Sequence, residues 1–216
     1  MMLTEKYPYI VIEGPIGSGK TTLARRLSDK FSVDLLLENA AANPFLPRFY
    51  QDPQRYALQA QLFFLFQRAE QVRELGQRDM FAKATIADFF LEKDPLFARL
   101  NLSDEEYALY RQIYEHLQLQ TTTPDLVIYL QTPADTLLKR IEQRDIPYEQ
   151  DIPRDYLVRL AEAYSDFFHH YDASPLLIVN NENLNVTNNE AALELLLERI
   201  QSIRGRREYF HPRLDG

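Results

Sequence analysis

Residues 14–21 read G-P-I-G-S-G-K-T, with glycine, lysine and threonine at the spacing of a phosphate-binding loop. Glycine lets the backbone curl so that successive N–H groups point at phosphate oxygens. Lys20 would reach the β- and γ-phosphates of a nucleotide, and the Thr21 hydroxyl would ligate Mg²⁺. The stretch therefore predicts a nucleotide-phosphate site. Its expected binding residues are Gly14, Pro15, Ile16, Gly17, Ser18, Gly19, Lys20, Thr21 and Thr22.

The residues on either side of this loop support the same interpretation. Residues 9–12 are the apolar run Y-I-V-I, which suits a buried parallel strand. After the loop, Leu23, Leu27 and Phe31 recur at helical spacing, so the loop opens a helix whose N-terminal dipole favours anions. A glycine-rich turn that matches by chance is the alternative, and the strand before and helix after the loop argue against it.

Two carboxylates end predicted strands and are candidates for work at the same site. Glu38 ends the run LLLE, and Asp88 ends the run ATIAD. Because ligands of parallel sheets lie at the carboxyl ends of the strands, we expect both near the γ-phosphate. One carboxylate would take the proton of a hydroxyl acceptor, and Mg²⁺ needs a second oxygen ligand. For each residue the alternative is a strand-end carboxylate that caps the next turn.

Residues 43–68 form an aromatic-rich segment that also contains amides and arginines. Rings with a few amides are suited to stacking a flat heterocycle and binding its edge. A core helix is the alternative, and we favour core packing for Phe63 and Phe66. Gln61 differs because glutamine on a mostly apolar face needs a polar partner, which a base edge or a backbone carbonyl would supply.

A cluster of cations, Lys139, Arg140 and Arg144, precedes a proline-containing loop. Arg140 and Arg144 lie four residues apart and therefore share a helix face. Cations next to a loop suit the stabilisation of transition-state charge and closure over phosphates. A solvated basic helix end, favoured by the helix dipole, is the alternative.

Apolar runs that alternate with amphipathic segments predict an α/β fold with a parallel sheet flanked by helices. The predicted strands are Tyr9–Glu13, Val33–Glu38, Ala84–Asp88, Asp125–Leu130 and Leu176–Val179. The predicted helices are Lys20–Phe31, Pro53–Gly76, Ser103–Gln120, Pro133–Gln143, Pro153–Tyr171 and Asn189–Arg204. Ser103 and Glu106 have the spacing of a capping box at the start of the third helix.

Length and composition limit the class of protein. The 216 residues suit a single domain, 1–216, with 45% hydrophobic and 26% charged residues. The sequence contains no cysteine, which excludes disulfide and zinc–thiolate chemistry and fits a cytoplasmic location. Neither a signal peptide nor a membrane-spanning segment is expected. The net charge of −8 argues against a nucleic-acid partner and remains compatible with a small anionic ligand.

Four stretches in order resemble the deoxyribonucleoside kinase family, and in particular bacterial deoxyadenosine/deoxyguanosine kinases. They are IEGPIGSGKTT, Glu38 with NPFLPRFYQDP, YALQAQLFFLFQR and RIEQRDIPYEQDI. Together with PDLVIYL, the resemblance covers nearly the whole chain, and ordered co-occurrence is more specific than any single motif. It implies a P-loop kinase with a five-stranded parallel sheet and an arginine-bearing lid. The implied reaction transfers the γ-phosphoryl group of Mg·ATP to the 5′-hydroxyl of a deoxyribonucleoside, and the family is usually homodimeric.

The resemblance also assigns roles to individual residues. Glu38 would accept the 5′-hydroxyl proton, and Asp88 would join Thr21 at Mg²⁺. The remaining implied roles are base recognition by Gln61, base contact by Arg68, sugar 3′-hydroxyl binding by Tyr50 and Glu149, and phosphoryl clamping by Arg140 and Arg144. Gln61 and Arg68, with Asp94, favour a purine base.

The chain departs from the family pattern after the third strand. The family usually has an acidic-Arg-Ser triplet there, but residues 87–90 are A-D-F-F and contain no arginine. Either Lys93 substitutes as the cation, or Asp88 serves Mg²⁺ alone. In the lid, Glu142 and Ile146 stand where arginine is frequent. A thymidylate-kinase-like monophosphate kinase and a non-catalytic nucleotide-binding module remain the alternatives.

Overall fold

Parallel strands form one sheet at the centre of the protein. The computed structural model describes residues 3–76, 84–117, 121–182 and 189–211. Within these ranges the sheet has six strands in the order β2-β3-β1-β4-β5-β6, and all neighbours pair in parallel. The strands are β1 (Tyr9–Glu13), β2 (Asp34–Leu36), β3 (Thr85–Ala87), β4 (Leu126–Gln131), β5 (Leu176–Asn180) and β6 (Arg207–Phe210).

The five predicted strands are confirmed, although β2 and β3 are shorter than expected. The sixth strand was not predicted, because β6 has the polar sequence REYF and carries no buried apolar run. It adds to the edge of the sheet beside β5, with Leu176 opposite Arg207 and Val179 opposite Phe210. An edge strand of this kind is held by backbone pairing, which apolar periodicity does not reveal.

Helices cover both faces of the sheet. They are α1 (Leu3–Lys6), α2 (Lys20–Phe31), α3 (Leu46–Gln51), α4 (Pro53–Gly76), α5 (Asp94–Asn101), α6 (Asp104–His116), α7 (Ala134–Arg144), α8 (Arg154–His170) and α9 (Glu190–Gln201). Short 3₁₀ turns span Ala40–Ala42, Leu91–Lys93 and Pro147–Glu149. None of the helices in the described ranges is long and apolar enough to cross a membrane.

All six predicted helices are present, and α2 and α4 have the predicted bounds. The predicted capping box is confirmed, since Ser103 accepts from the Glu106 N–H and Glu106 accepts from the Ser103 N–H. Residues 118–120, the end of the third predicted helix, lie outside the described residues. The short helices α1, α3 and α5 were not predicted, because so few residues give little periodicity.

Alternate residues along the central strands face two hydrophobic cores. On β1, Val11 faces the core formed with α4, α5, α6 and α8, whereas Ile10 and Ile12 face the core formed with α1, α2 and α9. On β4, Tyr129 faces the first of these cores and Ile128 faces the second. Because both faces are covered, these strands are apolar at nearly every position, as parallel strands usually are.

The expected core packing of Phe66 is wrong. This side chain on α4 is 52% exposed, and Phe63 is only partly buried. The buried residues of α4 lie on its other faces and include Ala57, Gln61 and Leu65. A helix with apolar residues on several faces does not reveal from sequence which of them faces the sheet.

Candidate active site

The phosphate-binding loop connects β1 to α2 in a conformation that needs glycine. Gly17 and Gly19 have φ angles of 82° and 89°, in the left-handed region that other residues avoid. A Cβ atom on Gly14 would lie 2.6 Å from the Ser18 Oγ and 3.0 Å from the Leu130 carbonyl oxygen. The loop is therefore tightly packed, and its amides lie at the N-terminus of α2, where anions are favoured.

Replacing Gly17 with alanine is expected to lower the free energy of unfolding. The positive φ alone should cost roughly 1–2 kcal/mol, and the new Cβ would lie 3.0 Å from the Leu137 carbonyl oxygen. Thermal unfolding measures the loss, with Gly76→Ala as the control because nothing lies within 4 Å of its Cβ position. A Gly17→Ala protein as stable as the Gly76→Ala protein would show that the loop relaxes without cost.

Asp88 connects the phosphate loop to the end of β2. One carboxylate oxygen accepts a hydrogen bond from the Thr21 hydroxyl, and the other accepts from the Glu38 backbone N–H at 2.7 Å. This proximity follows from the strand order, because β3 lies between β1 and β2 and Asp88 directly follows β3. The structure thus brings Thr21, Glu38 and Asp88 to one place, as the strand-end argument predicted.

The oxygens of Thr21 and Asp88 fit a Mg²⁺ ion that is completed by phosphates and water. Among the described residues there is no cluster of three or more His, Cys, Asp or Glu side chains able to hold a metal alone. Magnesium commonly takes only one or two protein oxygens and keeps substrate phosphates and waters as its other ligands. One hydroxyl and one carboxylate in mutual contact are such a set.

The Glu38 carboxylate is held as an anion by Arg68. The Arg68 Nη2 atom lies 2.5 Å from Glu38 Oε1, and its Nε donates to the same oxygen at 2.8 Å. Burial raises the pKa of Glu38, but the charges of Arg68, Lys93 and Lys20 outweigh burial and lower the pKa to about 2. Glu38 is therefore ionised at neutral pH and accepts hydrogen bonds only.

A cleft lies between the phosphate loop and the helices α3, α4, α5 and α8, and Lys20, Glu38 and Asp88 all line it. Burial, followed by the nearby Lys93 charge, lowers the pKa of the Lys20 ammonium, while Glu13, Asp88 and Glu38 act in the opposite direction. The cation of the phosphate loop and the Glu38 carboxylate line one cleft. The phosphate loop and the Glu38 carboxylate therefore lie in one cleft, as predicted from the sequence.

A buried hydrogen-bond network centres on Asp94 and includes the cleft-lining residues Gln61 and Arg68. Its carboxylate accepts from Gln61 Nε2 at 2.9 Å and from the Tyr110 hydroxyl at 2.5 Å, and it pairs with Arg68. Gln61 Nε2 also donates to the Asp94 carbonyl at 3.2 Å. The polar partner that Gln61 requires is therefore Asp94, and Arg68 joins this network to Glu38.

Tyr50 and Glu149, the expected sugar-binding pair, both line the cleft. The Glu149 carboxylate is buried and pairs with Arg144, and Tyr50 stacks against Tyr148 with ring centroids 6.4 Å apart. Desolvation raises the pKa of Tyr50, and the neighbouring Tyr156 and Glu149 raise it further. The Tyr50 hydroxyl therefore stays protonated and is available as a donor.

The two predicted phosphoryl-clamping arginines occupy different positions. Both belong to α7, and Arg144 is its last residue rather than part of the following loop. Arg144 lines the cleft. Arg140 lies outside the cleft lining and donates to the Asn181 carbonyl at 2.9 Å and the Ser18 carbonyl at 3.4 Å. Arg140 thus contacts the phosphate loop through the Ser18 carbonyl.

Several cleft residues were not identified from the sequence. Phe97 and Asn101 come from α5, which was not predicted, and Tyr156 and Tyr164 come from α8, whose aromatics give only a core signal. The sequence suggests Lys93 only as a substitute cation, although it lines the cleft and is buried. The sequence feature that could have indicated Lys93 is its position directly before the Asp-Pro start of α5, and this is a weak signal.

A glycine-rich loop between a strand and a helix of a parallel sheet, facing a carboxylate across a cleft, defines a P-loop kinase. The deoxynucleoside kinase family model matches residues 10–203, and the chain belongs to this family. It is 39% identical over 160 residues to the deoxyguanosine kinase of Bacillus subtilis, covering 73% of this chain and 76% of that protein. It is 31% identical over 210 residues to the deoxyadenosine kinase of Lactobacillus acidophilus, covering 90% and 96%.

Solved structures agree with this assignment. A deoxyadenosine kinase from M. mycoides, solved with the products dCMP and a flexible dCDP bound, superposes with a TM-score of 0.78 at 26% identity and covers 90% of this chain and 99% of that one. The same enzyme with bound dATP gives a TM-score of 0.77 at 26% identity, covering 89% and 99%.

Proposed function

We propose that the protein transfers the γ-phosphoryl group of Mg·ATP to the 5′-hydroxyl of a deoxynucleoside, giving a 5′-monophosphate for nucleotide salvage. The observation that carries this proposal is the position of the Glu38 carboxylate, which lines the same cleft as Lys20 and Thr21 of the phosphate loop. Reaction at the 5′-oxygen needs a proton acceptor on one side and a phosphate cradle on the other.

Each residue has a defined task in this reaction. Mg²⁺, when bound, neutralises charge on the β- and γ-phosphates. Lys20 and the loop amides bind these phosphates, and Thr21 with Asp88 would hold the metal. Glu38 accepts a hydrogen bond from the 5′-hydroxyl and takes its proton as the new bond forms. Arg144 contributes charge at the cleft, and Arg140 supports the loop through the Ser18 carbonyl.

The pairing of charges in the cleft favours a nucleoside over a nucleotide acceptor. The cations of the described residues that line it are Lys20, Arg68, Lys93 and Arg144. Arg68 pairs with Glu38 and Asp94, Lys93 with Glu13, and Arg144 with Glu149. A monophosphate acceptor would bring two negative charges, and these paired cations would each have to leave a carboxylate to bind it.

ADP release separates the candidate functions. The proposal predicts ADP with ATP and a deoxynucleoside, and little ADP with a deoxynucleoside monophosphate or with ATP alone. Faster release with monophosphates would favour the thymidylate-kinase-like alternative. ATP binding without ADP release under any of the three conditions would favour a non-catalytic module.

We infer a preference for purine deoxynucleosides from Gln61, Arg68 and Asp94. These side chains form a buried donor–acceptor group in which Gln61 and Arg68 line the cleft. A flat base that meets them is bound at its edge by charge-assisted hydrogen bonds. The names of the Bacillus and Lactobacillus relatives, deoxyguanosine and deoxyadenosine kinase, support this preference.

The Asp94→Asn variant tests this inference. Neutralising the carboxylate should raise KM for the preferred purine deoxynucleoside roughly 10-fold, the scale of one lost hydrogen bond to a charged group. KM for ATP should change less than twofold. Steady-state kinetics with the four common deoxynucleosides measure the change, and Asp104→Asn is the control because Asp104 pairs with Arg99 at the surface. An equal loss for all four deoxynucleosides would contradict a role in base choice.

We also propose that the protein is a homodimer that associates through α4 and α6. These helices expose Phe66 and Leu109, which are 52% and 47% exposed and are among the large hydrophobic side chains at the surface. Burial of such residues against a second copy would remove apolar surface from water.

A further inference from the structure

Lys93 is a buried lysine that lies beside the phosphate loop. It ends the 3₁₀ turn Leu91–Lys93 after β3, and its side chain is 2% exposed. Its ammonium lies 2.5 Å from Oε1 of Glu13, whose side chain is fully buried. Lysine is rarely buried without a partner, because removing its charge from water is costly. A lysine buried at this position therefore needs a counter-ion.

Glu13 is the counter-ion, and it connects Lys93 to the phosphate loop. Glu13 ends β1, and its Oε2 accepts from the Gly14 backbone N–H at 2.9 Å and from the Tyr164 hydroxyl at 3.1 Å. Its Oε1 accepts no hydrogen bond from any described residue and pairs with the Lys93 ammonium. The ion pair thus fixes the carboxylate that holds the first amide of the loop.

Lys93 also lines the cleft that contains Glu38 and Lys20. Burial raises the pKa of Glu38, whereas the charges of Arg68 and then of Lys93 lower it; burial and then the Lys93 charge lower the pKa of Lys20. The aromatic rings of Phe97 and Tyr164 lie 5.5 Å and 6.0 Å from its nitrogen and confine it. A single confined cation therefore contacts the loop carboxylate and lines the same cleft as the candidate base.

We propose that Lys93 is a positioning residue for the transfer: its ammonium holds the phosphate loop through Glu13 and provides fixed positive charge opposite Glu38 where the acceptor oxygen reacts. This inference rests on the proposed kinase function. A fixed charge that is already in place needs no reorganisation as negative charge develops, so it stabilises the transition state more than a mobile cation does. The loop Asp88-Phe89-Phe90 itself supplies no cation at this end.

A charge-balanced double variant separates this role from a purely structural one. Lys93→Met alone leaves the buried Glu13 unpaired and should reduce stability as well as activity. Adding Glu13→Gln removes the unpaired charge, so Glu13→Gln/Lys93→Met should recover thermal stability. If Lys93 acts at the reacting end, the double variant should still have kcat roughly 100-fold below wild type, the scale of one lost charge-stabilising group.

Two further measurements complete the test. Lys93→Arg should recover part of kcat, because it restores the charge. The carboxyl ¹³C shift of Glu38, titrated by NMR, should show a higher pKa in the double variant than in wild type. Lys30→Met, which removes the surface pair between Lys30 and Glu190, is the matched control and should leave both readouts unchanged.

The experiments distinguish a failure of the Lys93 inference from a failure of the proposed kinase function. A wild-type protein that phosphorylates no deoxynucleoside would refute the kinase proposal and, with it, the role of Lys93 in transfer. An active wild type together with a double variant of equal kcat and unchanged Glu38 pKa would overturn the inference alone, since Lys93 would then only balance Glu13.

Discussion

The Glu38→Gln variant is expected to turn over at least roughly 100-fold more slowly than wild type, the usual scale of a lost general base. Glutamine keeps the size of the side chain but cannot take the 5′-hydroxyl proton. The Glu38 backbone N–H still donates to Asp88, so the end of β2 should remain in place. Measurement of kcat with saturating ATP and deoxynucleoside gives the effect, and Glu115→Gln at the surface is the matched control.

The pH dependence of the wild type provides a second check on Glu38. Its pKa in the folded protein is lowered from 4.5 to about 2, so the carboxylate stays ionised throughout the neutral range. Protonation of Glu38 should therefore not reduce kcat between about pH 5 and pH 8. By linkage, the stability from its pairing with Arg68 is present above the unfolded pKa of 4.5 and is lost as the pH falls toward 2. Near-wild-type turnover of Glu38→Gln would remove Glu38 from the mechanism.

The Lys20→Met variant should lose phosphoryl transfer while it retains deoxynucleoside binding. In the proposed reaction Lys20 supplies charge to the β- and γ-phosphates, and loss of one such group should lower kcat roughly 100- to 1,000-fold. The hydrogen-bond network around Asp94, which we propose binds the base, does not include Lys20. Calorimetry should therefore show a deoxynucleoside Kd within about threefold of wild type, a difference below 1 kcal/mol.

Controls for this variant separate charge from folding. Lys30→Met changes an exposed lysine and should leave kcat and Kd unchanged. Since burial and Lys93 already lower the pKa of Lys20, its replacement should not destabilise the fold, and thermal unfolding should confirm this. A Lys20→Met protein with unchanged kcat would mean that the loop amides and the metal alone supply the charge.

Local patterns were sufficient to predict the phosphate loop and its two facing carboxylates. A motif with a strand before it and a helix after it fixes the direction of the loop. The rule that ligands lie at the carboxyl ends of parallel strands then brings Glu38 and Asp88 to the same edge. The structure shows the contact through the Asp88–Glu38 backbone hydrogen bond.

Contacts between residues distant in the sequence were not predictable. The Lys93–Glu13 pair depends on how the turn after β3 packs against β1, and no spacing rule connects these positions. Arg68 was expected at the base, but its simultaneous pairing with Glu38 and Asp94 arises from the packing of α4 over the cleft. The exposure of Phe66 and the edge strand β6 likewise depend on neighbours that periodicity does not specify.

A crystal structure with deoxyadenosine or deoxyguanosine and a non-hydrolysable ATP analogue with Mg²⁺ tests the central claim most directly. The measured quantity is the distance from the 5′-oxygen to the nearest Glu38 carboxylate oxygen. We predict a hydrogen bond of roughly 2.6–3.2 Å, with the 5′-oxygen in line with the γ-phosphate held by Lys20 and the loop. A 5′-hydroxyl that points away from Glu38, with the phosphates outside the loop, would contradict the account.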